Sequence, residues 1–237
     1  MSIWMDSGQP AGRTRGPKRT YSREMITEVA VQIADGEGLQ AASMRRIASE
    51  IGAGVMTLYP YISNRDDLIE LMVDHVAGDM KLPDEPGEWR DALSLVAMEM
   101  RAMWLRHPWA AVRTPGHPIW GPNSLRVQEY LLSALDRFGL SVDEHLSLIG
   151  LLTGYVESFV RAEVGWAEET RRTGVDVHEW MRRTEPYARK IVAEGRYPRF
   201  SRMMMETSAP HMEPDARFGY GLERVLDSIA ASLKTEA

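Results

Sequence analysis

Residues 43–65, SMRRIASEIGAGVMTLYPYISNR, constrain the fold more than any other stretch. Met44, Ile47, Ala48 and Ile51 fall at i, i+3, i+4 and i+7, one apolar stripe on a helix. Ser43 precedes the stripe, where its hydroxyl can cap free N–H groups. Gly52 and Gly54 bracket Ala53 and require a turn. The next segment, VMTLYPY, carries Thr57, Tyr59 and Tyr61 around one core-type residue, Leu58. Exposed hydroxyls and aromatics at that density suit a surface that reads a partner. A helix-turn-helix that places its second helix in a DNA major groove needs such residues.

Net charge is −6, which taken alone argues against nucleic acid. Its distribution argues the other way. Residues 13–65 hold eight Arg/Lys against five Asp/Glu, net +3, while residues 66–237 hold 20 against 28, net −8. A small basic module on an acidic body fits contact with DNA at one end only. At 237 residues and 44% hydrophobic composition the chain can form two domains or one large one. It has no cysteine, which excludes disulfides, thiolate metal sites and cysteine nucleophiles and fits a reducing cytoplasm. No apolar run of membrane-spanning length occurs, and the N-terminus has no apolar core of a signal peptide. A cytoplasmic location is the expectation.

The chain divides by pattern. Residues 1–20, with Arg13, Arg15, Lys18 and Arg19, read as a flexible basic tail, or as an arm along phosphates. Ile26, Val29, Ala30 and Ile33 predict a helix from a Ser22 cap to Gly36 and Gly38. Two helices follow within 43–65. A fourth runs over 64–78, with Asp66 and Asp67 at its positive end and Leu68, Leu71, Met72, His75 and Val76 as its core face. KLPDEPG at 81–87 marks a boundary between domains at 21–80 and 87–237. Further helices are predicted at 88–107, 109–113, 123–138, 141–167, 175–194 and 215–233, with 195–214 weakly patterned. No strand alternation stands out, so the class is all-α.

The motif Ser43-Met44-Arg45-Arg46-Ile47-Ala48, the turn at Gly52, Thr57-Leu58-Tyr59 with Tyr61, and Asn64-Arg65 before Leu68 resemble the DNA-binding domain of the tetracycline repressor (TetR) family. Trp89, Leu93, Arg101 to Pro108, and the closing FGYGLERVLDSI are similar to the larger domain of that family. The resemblance implies an N-terminal three-helix domain with a helix-turn-helix, and a larger helical domain for ligand binding and dimerisation. It implies a homodimer on a double-stranded DNA operator, with a small-molecule effector. By position it implies DNA contacts at Ser43, Arg45, Val55, Met56, Thr57, Tyr59, Tyr61 and Arg65. Arg45 can reach a guanine edge or phosphate, and the tyrosine hydroxyls can bond phosphates. Packing within the domain is the competing role for one of the two tyrosines. Pro60 departs from a helical pattern and predicts that the third helix ends near Tyr59, displacing Tyr61.

Two further patterns stand apart from the resemblance. In 141–167, Ser147, Gly150, Gly154, Ser158 and Ala162 make a stripe of small residues, while Leu148, Leu151, Leu152, Tyr155 and Phe159 cover much of the rest. Such a helix is apolar nearly all round and predicts burial on several sides. With Leu222, Val225 and Ile229 of the last helix it forms a candidate dimer interface; burial in a monomer core is the alternative. Trp104, His107, Trp109, His117, Trp120, Tyr155 and Phe159 form a candidate pocket, each also readable as core. The histidines lack paired metal spacing and there is no glycine-rich phosphate loop, so neither metal, cofactor nor enzymatic activity is expected. The reading is a ligand-responsive repressor. The alternative is a helical binding protein or enzyme that retains a vestigial DNA-binding domain.

Overall fold

The computed structural model describes residues 3–6, 21–113, 119–206 and 212–233, and these are helical or loop throughout. The reading end comprises α1 (Arg23–Glu37), α2 (Met44–Glu50), a 3-10 turn (Val55–Thr57) and α3 (Arg65–Ala77). The body comprises α4 (Trp89–Arg106), α5 (Pro108–Arg113), α6 (Pro122–Leu135), a 3-10 turn (Asp136–Phe138), α7 (Val142–Thr173), α8 (Val177–Glu194), α9 (Pro198–Glu206) and α10 (Pro214–Leu233).

Helix starts follow the capping residues. Ser22 accepts from the Met25 amide, Ser43 from Arg46, Asn64 from Asp67 and Asp176 from Glu179. Ser141 and Glu144 form a reciprocal capping box at the start of α7. Helix α1 passes through Gly36 and stops at Gly38, so only the second of the two glycines terminates it. Gly52 takes φ 67°, the left-handed conformation that the turn after α2 requires and that a side chain would strain.

Several expectations need correction. Within the segment read as a tail, residues 3–6 form a 3-10 turn with Ile3 buried; Arg13, Arg15, Lys18 and Arg19 lie outside the described residues. His75 is exposed rather than on the core face of α3. Helix α7 outruns its apolar pattern by six residues, to Thr173. That polar end is held by the pairs Glu168–Arg171 and Glu169–Arg172 at i,i+3 spacing. The weakly patterned 195–214 contains α9. Helix α7 buries one face, Leu148, Ile149, Leu152, Val156, Val160 and Val164, and leaves Leu146 and Leu151 exposed.

One continuous apolar core runs from Ile26 in α1 to Ile229 in α10. Helix α3 joins its two ends, packing on α1, α4 and α6. Its Asp74 is 3% exposed. The carboxylate accepts from the Ser124 amide at 2.8 Å and from Asn123 Nδ2 at 3.3 Å, capping α6 from another helix. Gly121 makes this approach possible, since a Cβ there would lie 2.2 Å from the Asp74 carboxylate. Gly121→Ala is therefore expected to cost about 1–3 kcal/mol through overpacking. Asp74→Ala should cost about 1 kcal/mol through loss of the cap. Both are read as lowered midpoints in denaturant unfolding.

Candidate DNA-reading face and effector cavity

Leu58 and Ile62 hold the reading turn, both at 0% exposure. Around them the chain coils more tightly than a helix. The 3-10 turn ends at Thr57, two residues before the predicted end. Turns continue past Pro60, with the Tyr61 amide bonded to Leu58 O at 2.9 Å and the Ile62 amide to the same oxygen at 3.1 Å. Proline interrupts regular hydrogen bonding here without straightening the chain.

The predicted contact residues divide into two groups. Arg45, Met56, Thr57 and Tyr59 are exposed, Met56 at 78%. These form the outward surface of α2 and the turn. Val55 is half-buried against the core. Ser43 caps α2, with its hydroxyl proton still available to donate. Tyr61 packs partly on the core, and its backbone carbonyl accepts from Arg23 Nε at 3.1 Å. Arg65 is exposed, yet its Nη2 donates to Leu39 O at 3.0 Å and Gln40 Oε1 at 3.2 Å. It fastens α3 to the loop before α2. Arg46, beside Arg45, is pinned by Glu37 and Glu50, which hold its guanidinium above the usual arginine range.

The cavity lies away from this face, between α7, α8 and the start of α10, with a volume of about 900 Å³. Tyr155, Phe159 and Trp166 supply aromatic walls, Met181 and Met212 thioethers, and Glu163, His178, Glu213 and Arg217 polar groups. Of the seven residues expected to form a pocket, Tyr155 and Phe159 line this cavity. Trp104 and Trp109 are buried in the core, Trp120 is exposed away from the cavity, and His117 lies outside the described residues. His107 and Trp109 bond Asp35 of α1 instead. Sequence reasoning missed Glu163 although Tyr155, Phe159, Glu163 and Trp166 share one face of α7 at helical steps. Met181, Met212 and Arg217 join them only through tertiary folding.

Inside the cavity the polar groups are already partnered in part. The Tyr155 hydroxyl donates to Phe218 O at 2.7 Å, and burial pushes this phenol up from its ordinary pKa. Gly221 leaves room for that hydroxyl, as a Cβ there would sit 2.3 Å from it. Glu163 is held by the buried Arg101 through two bonds of 2.8 and 2.9 Å. The bonds to Glu163, then to Asp215, raise the Arg101 pKa against the opposing effect of burial. Tyr155→Phe should keep the cavity wall and lower stability by about 1 kcal/mol, measured by denaturant unfolding.

Comparison with known proteins agrees with this architecture. Residues 82–233 match the family model described as tetracyclin repressor-like, C-terminal domain. An HTH-type transcriptional repressor, DrrR1 of Streptomyces coeruleorubidus, is 37% identical over 96% of this chain and 83% of its own length. An HTH-type transcriptional regulator of Saccharopolyspora erythraea is 33% identical over 71% of this chain and 70% of its own. Among solved structures, the TetR family protein ActR of Streptomyces coelicolor in complex with (S)-DNPA superposes with a TM-score of 0.73 at 25% identity, covering 90% of this chain and 99% of that one. Its actinorhodin complex gives a TM-score of 0.71 at 24% identity, covering 92% and 99%. The helix-turn-helix motif, the all-helical body and these relatives place the chain in the TetR family of transcriptional regulators.

Proposed function

We propose that this regulator is a homodimeric repressor that contacts its operator through Arg45, Met56, Thr57 and Tyr59 and is released by an aromatic ligand. The observation that carries the reading is the exposed cluster on a turn whose two anchors, Leu58 and Ile62, are fully buried. Buried anchors fix the backbone, and exposed hydroxyls and a cation are free to meet DNA. Ser43 and Arg65 add contacts from positions already fixed by their own hydrogen bonds. Val55 offers apolar contact, and Tyr61 supports the turn from behind.

The cavity supports the ligand class. The tilted rings of Tyr155 and Phe159, with Trp166 and two methionines, favour an aromatic molecule, with Glu163, His178 and Arg217 at its polar edges. ActR, at 25% identity, was solved with (S)-DNPA in complex. Ligand binding needs to favour one arrangement of the two reading turns by only about 1–3 kcal/mol to act as a switch.

Dimerisation is supported by the outer face of α7. Ser147, Gly150, Gly154 and Ser158 are exposed in the single chain. A Cβ on Gly150 or Gly154 would meet nothing, so packing within the chain does not require glycine there. Ser158 also borders the cavity. Leu222 and Ile229, at 3% and 0% exposure, belong to the protomer's own core and are removed from the interface. On α10 the exposed Tyr220 and the half-buried Val225 remain available to a partner.

Two experiments test these points. In fluorescence anisotropy with DNA upstream of its own gene, the wild-type chain should bind and lose affinity steeply with salt. Thr57→Ala and Tyr59→Ala should each weaken binding by about 1 kcal/mol with an unchanged circular dichroism spectrum. Unchanged affinity in both removes them from the interface. Gly154→Leu should fold normally and sediment as a monomer; a variant dimer as stable as the wild type contradicts the α7 interface.

A further inference from the structure

Two polar clusters lie along α4 and its continuation, one against the cavity and one against the reading end. At the cavity, Arg101 Nε donates to Glu163 Oε2 at 2.9 Å, and Nη2 to Glu163 Oε1 and Asp215 Oδ1, both at 2.8 Å. The guanidinium also lies over the rings of Phe159 and Phe218, 5.7 and 4.9 Å from their centroids. Glu163 and Phe159 both line the cavity. Arg101 is buried, bonded at two ends and confined by two rings. In a close-packed interior a shift of Glu163 or Phe159 is passed to α4 through this side chain.

The second cluster begins six residues on, about 9 Å along the helix axis. His107 ends α4 and Pro108 opens α5. His107 Nδ1 lies 2.9 Å from Asp35 Oδ1, and Nε2 lies 3.5 Å from Asp79 Oδ2. Trp109 Nε1 donates to Asp35 Oδ1 at 2.7 Å. Asp35 belongs to α1, and Asp79 follows α3. The α4–α5 corner therefore grips the two longest helices of the reading end. A displacement of a few tenths of an ångström is enough to weaken bonds this short.

We infer that Asp35 is the positioning residue through which cavity occupancy reaches the reading end, relayed by Arg101 and the His107–Trp109 corner. This rests on the regulator reading above and adds a route through α1, separate from the α3–α6 contact at Asp74. A ligand that bonds Glu163 or displaces Phe159 alters the load on Arg101. Helix α4 then shifts, the Asp35 bonds lengthen, and α1 tilts with the turn it supports.

The test uses the full chain labelled with ¹⁵N at its seven tryptophan indoles. Trp109→Phe assigns the Trp109 resonance by deleting it. Glu163→Gln removes the carboxylate charge at the cavity, and Phe159→Leu perturbs Arg101 while leaving its ion pair in place. Each should move the Trp109 indole resonance, although neither side chain bonds Trp109. In operator binding, Glu163→Gln and Asp35→Asn should combine non-additively by at least about threefold, where independent sites would add. An unmoved Trp109 resonance in both cavity variants overturns the relay, and additive affinities overturn the role of Asp35. Absence of DNA binding by the wild type would count against the regulator reading alone, because the resonance decides the relay without DNA.

Discussion

Burial of α3 on nearly every side is the constraint on which the molecule depends. Leu68, Leu71, Met72, Val73 and Val76 all lie in the core, and so do Asp67, Glu70 and Asp74. A helix that packs on α1, α4 and α6 belongs at once to the reading end and to the body. Its buried acids need partners, since an unpaired buried charge is costly. Asp74 finds them at the start of α6, where its carboxylate accepts from the Ser124 amide and Asn123 Nδ2. The orientation of the reading turn relative to the body is therefore set by packing and hydrogen bonds, with no free hinge at α3.

That arrangement explains why the pro-rich 81–87 segment marks a change in sequence without a break in the core. Arg126 of α6 reaches back to the carbonyls of Ala77 and Met80 at 3.3 and 3.0 Å. These bonds cover the end of α3 where the segment begins. A ligand acting in the body meets a stiff connection, and small displacements at α7 can reach α1 and α3 intact.

The helix-turn-helix was legible in the sequence because its information is local. Caps at Ser22, Ser43 and Asn64, the turn at Gly52 and the anchor at Leu58 each depend on neighbours a few residues away. Pro60 pointed to a displaced Tyr61, but which of the two tyrosines packs within the domain was left open by the local pattern. The cavity was half legible. Tyr155 and Phe159 sit on one helix, but their companions come from α8 and α10, which only tertiary folding brings together. His107 and Trp109 misled for a physical reason: an aromatic and a histidine near a cavity-forming helix also suit a bond to a distant acid, here Asp35. Leu222 and Ile229 misled because a helix apolar on one face can bury it in its own core or in a partner, and periodicity is the same for both.

The central claim is a paired reading head whose two turns are held at a fixed separation by the bodies of two copies. Hydroxyl-radical footprinting on DNA upstream of the gene tests it most directly. A paired head should protect two patches on one face of the duplex, with centres about one helical turn apart, ~34–36 Å, or a multiple of it. A single unpaired patch, or protection that does not repeat on one face, would contradict it.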